Sequence, residues 1–206
     1  PSGRLVASMD VYAPGWAQNL TILCASDDGG ATWRYLCELM PCFWGALFVH
    51  AGALWMLANA GEYGDLLIGK SEDEGRTWTT PTPILRSSAD TDEGGLHKAP
   101  MPVVRAHGRL WTEIDWGTWC RNGFSNSIFS IDENADLLVA ENWSCTGFLH
   151  HDKNWPGAHD FASCIEGNVV EAPDGSIMAF MRYGENKALT MKIDWQQPEK
   201  LPVFAG

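Results

Sequence analysis

Positive charge is scarce in this chain of 206 residues: 14 Lys and Arg stand against 26 Asp and Glu, a formal net charge of −12. Such a surface repels nucleic-acid backbones and anionic membranes, so neither is expected as a partner. Long apolar runs are missing too, and no segment approaches the ~20 residues that cross a bilayer. The six cysteines, Cys24, Cys37, Cys42, Cys120, Cys145 and Cys164, include no CxxC pair, which argues against structural zinc. Cys24, Cys37 and Cys164 sit in apolar or β-like surroundings, where a thiol behaves as a small hydrophobe. Tyrosine is rare, with four copies, and no methionine, basic stretch or apolar run opens the chain, so a targeting peptide is expected to be absent or removed. No metal or organic cofactor is expected. What remains is an ordinary folded composition, 45% hydrophobic and 19% charged, with 11 tryptophans, whose flat rings suit sheet interfaces and sugar-binding surfaces alike.

Four short segments repeat. Gly3-Arg4-Leu5-Val6-Ala7-Ser8, Gly52-Ala53-Leu54-Trp55-Met56-Leu57, Gly108-Arg109-Leu110-Trp111-Thr112-Glu113 and Gly175-Ser176-Ile177-Met178-Ala179-Phe180 each read as a turn glycine followed by a strand. The last three follow another β-rich run, so strand, tight turn and strand recur as a hairpin; the first copy lacks its leading strand. Further on comes a turn ending in tryptophan. Ser26, Asp28, Gly30, Thr32 and Trp33 fit S-x-D-x-G-x-T-W, and so do Ser71, Asp73, Gly75, Thr77 and Trp78. Weaker versions run from Ser130-Ile131-Asp132 to Asn142-Trp143 and end at Asp194-Trp195. The glycines recur after 49, 56 and 67 residues and the tryptophans after 45, 65 and 52, a period that calls for a repeat architecture.

The turn pattern has a physical basis. An aspartate accepts local backbone N–H groups, glycine takes positive φ, the hydroxyls satisfy what is left, and the tryptophan packs between sheets. A calcium loop is the competing reading of Asp27 and Asp28, but no further carboxylates follow at ligand spacing. Two full copies, each after a strand, predict an all-β chain: a β-propeller of four-stranded antiparallel blades. The expected blades are approximately 1–36, 37–80, 81–143 and 144–206, in one domain over 1–206.

These turns resemble the Asp boxes, or BNR repeats, of the sialidase-like propellers. The resemblance covers nearly the whole chain, with Trp44-Gly45-Ala46-Leu47-Phe48, Glu62-Tyr63-Gly64, His97-Lys98-Ala99-Pro100-Met101-Pro102, and Glu166-Gly167-Asn168-Val169-Val170 similar to a bacterial branch of that group. It implies six blades when complete, which takes on the order of 300 residues. About three and a half to four are expected here, so the chain reads as a fragment. A secreted or periplasmic location and a glycan partner are further implications of the resemblance.

The resemblance also implies site residues. Sialidases hold a substrate carboxylate with arginines, protonate the leaving group with an aspartate and use a tyrosine nucleophile activated by a glutamate. Glu166 resembles that glutamate and Arg182 one of the arginines; Asp10 is the nearest candidate for the acid, and no tyrosine clearly matches the nucleophile. His97, at the start of a strand, is a candidate acid or base near neutral pH. Trp119 with Arg121 forms a candidate sugar platform, and Glu62 and Trp44 are further substrate-binding candidates. The ordinary alternatives are a paired surface glutamate and arginine, a strand-end aspartate, a loop histidine and blade-packing tryptophans. His150 and His151 with His159 lack the carboxylates of a metal site. Three functions remain open: a sialidase-like glycoside hydrolase on terminal sugars of glycans, acidic ones among the candidates; a uronic-acid polysaccharide lyase with His97 as base; and a non-catalytic carbohydrate-binding propeller.

Overall fold

The computed structural model describes residues 3–87, 94–121, 123–158, 163–183 and 187–206, with Arg121 described by its backbone alone. All regular structure among them is β apart from two single 3-10 turns, Trp119–Arg121 and Ala140–Asn142. Strands β1 (Leu5–Asp10), β2 (Thr21–Ser26) and β3 (Arg34–Leu39) form an antiparallel sheet in that order. A second sheet joins β4 (Phe43–His50), β5 (Ala53–Asn59), β6 (Leu66–Ser71) and β7 (Thr82–Leu85). In the third, β8 (Gly95–His97) and β9 (Val104–Ala106) share one side of β10 (Arg109–Thr118), whose other side carries β11 (Gly123–Asp132) and then β12 (Trp143–Cys145). The fourth comprises β13 (Ile165–Glu171), β14 (Ile177–Tyr183), β15 (Lys187–Ile193) and β16 (Val203–Phe204). Since β8 and β9 act as one interrupted strand, the same four-stranded meander recurs, and the first sheet shows its last three strands.

The repeating glycines open the second strand of each meander. Gly3, Gly52, Gly108 and Gly175 hold φ between +72° and +82°, the left-handed region that a side chain disfavours and that closes a tight hairpin. Three residues on, Trp55 and Trp111 each turn back to donate their indole N–H to the carbonyl of the preceding strand, at His50 and Ala106.

The S-x-D-x-G-x-T-W turns join the third strand of a sheet to the fourth. Asp28 accepts from the Thr32 N–H (2.9 Å) and hydroxyl (2.6 Å), and Ser26 Oγ accepts from the Gly30 N–H (2.9 Å). Asp73, Thr77, Ser71 and Gly75 repeat this arrangement. The Trp33 and Trp78 indoles donate to Gly30 and Gly75 carbonyls, both at 3.1 Å, and Trp143 donates likewise to Leu137 across a longer loop. Trp195 instead stacks on His107, 4.3 Å away.

The turns lie inside the sheets, the first three of which end at Leu39, Leu85 and Cys145. One expectation, that each turn tryptophan packs between sheets, is corrected. Trp33 is 48% exposed, because the described chain places no sheet outside the first, whereas Trp78 packs against the cluster of Leu23, Cys42, Met56 and Ala58.

Apolar clusters fill the space between successive sheets. Leu57, Leu66, Ile68, Leu96, Ile114 and Ile131 join the second to the third, and Trp111, Ile128, Val169, Ala179 and Met191 join the third to the fourth. Accordingly β5 and β10 are buried on both faces, while β14 alternates buried and open residues, as a strand with one free face should. At ~25 cal/mol per Å² of apolar area removed from water, such clusters are the main stabilising term.

Candidate functional site

All second strands run the same way from their turn glycines, so their far ends gather on one face of the molecule. Seven residues beyond each glycine stand Asp10, Asn59, Asp115 and Arg182, one rung repeated across four sheets. The first strands begin on this face, beside Phe43, His97 and Ile165, which pair with Asn59, Asp115 and Arg182. Topology therefore brings Asp10, Trp44, Glu62, His97, Trp119, Glu166 and Arg182 to this one face, and puts the S-x-D-x-G-x-T-W turns on the opposite one.

Glu166 occupies a β-bulge. The register of β13 on β14 slips between Ile165 and Asn168, and Glu166 takes φ +55°, uncommon for a residue with a side chain. This swings its carboxylate to Arg182 on the neighbouring strand, with Nη1 to Oε2 at 2.9 Å. Arg182 keeps 53% of its side chain open and lies over the Trp119 ring, 5.7 Å from guanidinium to centroid. Among the described residues only its Nη1 is engaged in a hydrogen bond. The same bulge recurs in β4 at Trp44, φ +51°.

Rings form the floor beside this pair. Trp44 meets His97 at 4.2 Å, and Trp119 meets His97 at 5.7 Å and Phe124 at 4.8 Å. The Trp44 indole hydrogen-bonds the Tyr12 hydroxyl, and the Trp119 N–H donates to Tyr63 Oη at 3.2 Å. His97, the candidate acid or base, is 2% exposed; among the described residues neither ring nitrogen has a hydrogen-bond partner, with Asp115 Oδ2 at 3.6 Å from Nδ1. Trp44, Trp119 and Phe124 cover it, so it meets a ligand only if one of them moves.

The remaining expected residues separate. Asp10 accepts from Thr21 Oγ1 (2.6 Å) with one oxygen and from the Trp44 N–H (3.1 Å) with the other; burial pushes its carboxyl above the usual range against these bonds. Glu62 lies on a cleft of ≈390 Å³ with Trp16, Gln18 and Asn19, formed where loops 11–20 and 60–65 adjoin. The side chain of Arg121 and the whole of His159 lie outside the described residues. His150 meets Ser125 Oγ, and His151 meets the Tyr183 hydroxyl at 2.7 Å. Among the described residues, no three His, Cys, Asp or Glu side chains converge as a metal site. The hydroxyls of the four tyrosines are engaged with Trp44, Glu38, the Trp119 N–H and His151, not with Glu166.

Sequence reasoning missed the groups behind the bulge. Glu113, Asp115, Asn126 and Lys98 are buried together at the third sheet. Asn126 Nδ2 donates to Glu113 Oε2 (2.7 Å) and Asp115 Oδ1 (2.8 Å), and Asp115 Oδ2 accepts the Glu166 N–H (2.8 Å). Burial, and next the Asp115 charge, push Glu113 well above the usual carboxylate range, while burial pulls Lys98 down. The signal available in the sequence was the seven-residue offset from the turn glycines, which puts a polar residue on that rung in every repeat.

No protein-family model and no curated protein sequence matches the chain. Solved structures do. A Hadza microbial sialidase superposes on 99% of this chain and 44% of its own, with TM-score 0.66 and 18% identity. An ulvan lyase, a polysaccharide lyase solved with a bound GlcA- and Rha-containing saccharide, superposes on 94% of this chain and 54% of its own, with TM-score 0.64 and 12% identity. A Trypanosoma rangeli sialidase in complex with sialic acid covers 90% and 28%, with TM-score 0.59 and 16% identity. The chain thus spans about half or less of these proteins' lengths. At such identities the likeness shows the fold: an all-β chain of four antiparallel sheets arranged as blades of a β-propeller, of the kind these carbohydrate enzymes share.

Proposed function

We propose that this chain carries part of the site of a sialidase-like glycoside hydrolase acting on terminal acidic sugars. The observation that carries the reading is the Glu166–Arg182 pair at 2.9 Å, with the guanidinium half open above Trp119. A guanidinium fork matches a sugar carboxylate bidentately, and among the described residues the other edge of Arg182 meets no hydrogen-bond acceptor. A tryptophan face beside it suits the C–H-rich side of a pyranose ring. Glu166 is then the base that takes the proton of an attacking hydroxyl supplied by water or by a group outside the described residues, since the four tyrosine hydroxyls here are engaged elsewhere. The raised carboxyl of Asp10 supports a proton-holding role on the same face. The Asp-box reading of the two turns concerns the opposite face and supports the repeat, not the chemistry. The similarity to sialidases, an ulvan lyase and a bifunctional GH43 protein supports carbohydrate as the partner class.

The enclosure of His97 weighs against the lyase reading with that residue as base. The whole protein that carries this chain is incubated with a fluorogenic sialoside and, separately, with a uronate polysaccharide followed by ultraviolet absorbance of the unsaturated product. Fluorophore release that falls at least about 100-fold in Glu166→Gln is the expected result. Unsaturated product alone overturns the hydrolase in favour of the lyase, and saccharide binding without turnover of either substrate overturns it in favour of a binding propeller.

A further inference from the structure

We propose that Asp115 is a positioning residue for Glu166: its carboxylate, braced by Asn126, takes the Glu166 N–H across the blade boundary and fixes the bulge that aims Glu166 at Arg182. This rests on the reading of Glu166 and Arg182 as the site. Asp115 is fully buried, so it acts through Glu166. Its two oxygens are divided between two donors, Asn126 Nδ2 and the Glu166 N–H, both at 2.8 Å. The bulge is a backbone state that a side-chain-bearing residue enters at a cost, φ +55° at Glu166, and a buried N–H without an acceptor would add to it. Gly167 completes the seat. A Cβ there would lie 2.9 Å from Asn126 Nδ2 and 3.1 Å from Glu113 Cγ, so the bulge is pressed directly onto the network of the third blade. The first blade repeats the device, with Asp10 accepting the Trp44 N–H of the bulge in β4. One acid on the shared rung of a blade thus seats the bulge of the next.

The chemistry allows a test by exchange. In Asp115→Asn the single amide oxygen can serve only one of the two donors. In Asp115→Asn/Asn126→Asp the amide oxygen takes the Glu166 N–H while its NH2 meets the new carboxylate, and Glu113, which burial favours in its protonated form, donates to that carboxylate in place of accepting from Asn126. The readouts are the Glu166 amide and Arg182 Nε–H resonances of the full chain, and titration with free sialic acid. Asp115→Asn is expected to displace both resonances and weaken sialic acid binding about tenfold or more, and the exchange to restore both. Wild-type resonances in a folded Asp115→Asn overturn the proposal. So does a folded exchange variant that restores neither readout, and this arm decides if the single variant does not fold. If the wild-type chain ignores sialic acid, the sugar reading falls, while the resonances still decide the role of Asp115.

Discussion

Asp73 shows how much a single carboxylate does in these turns. It accepts the backbone N–H of Thr77 and of Arg76 and the hydroxyls of Thr77 and Ser71, and these bonds, the Thr77 N–H first, hold its pKa down to about 2. A carboxylate depressed in the folded state contributes stability above its unfolded pKa, near ~4, and loses it as pH falls through the folded value. Asp73→Ala should therefore lower the melting temperature at pH 7, with the gap to wild type narrowing between about pH 4 and pH 2. A gap that stays constant through this window, followed by calorimetry, would contradict the assignment. Asp28 is held down in the same way, by Thr32 first. Residues of this kind were legible from sequence because the turn is local: every partner of Asp73 lies within four residues of it. Asp115 was not, since its partners are Asn126, eleven residues on, and Glu166, fifty-one residues on in another blade.

At the scale of elements, the strands that read clearly from sequence are those with a glycine turn before them and long alternation after it. The short fourth strands of the second, third and fourth sheets did not. β7, β12 and β16 have only four, three and two residues, too few to carry a period. The bulges were equally silent, because an extra residue in a strand leaves no composition signal; Trp44-Gly45 and Glu166-Gly167 look like any strand start until their registers are known. The two glycines share a reason: Gly45 faces Met56, and Gly167 faces Asn126 and Glu113. Gly167→Ala should accordingly cost about 1–3 kcal/mol in denaturant unfolding, as overpacking does. It should also disturb the Glu166–Arg182 pair. Wild-type stability would show that the bulge does not press on the third blade.

For the molecule as a whole, propeller architecture followed from the spacing of repeats, and the face that bears the site followed from the direction of the second strands. Which of the site candidates stay exposed is decided by packing between blades, which no spacing reports: His97 disappears beneath Trp44 and Trp119, while Arg182 stays half open. A surface of net charge −12 offers an anionic sugar little long-range attraction, so the proposed recognition of such a sugar would rest on a short-range fork at Arg182. The most direct measurement is calorimetric titration of the chain with sialic acid and with its methyl ester, in wild type and in Arg182→Ala. Binding of the acid at least about tenfold tighter than the ester, with that preference lost in Arg182→Ala, is the predicted result. Equal binding of acid and ester, or a preference that survives without Arg182, would contradict carboxylate recognition at this site.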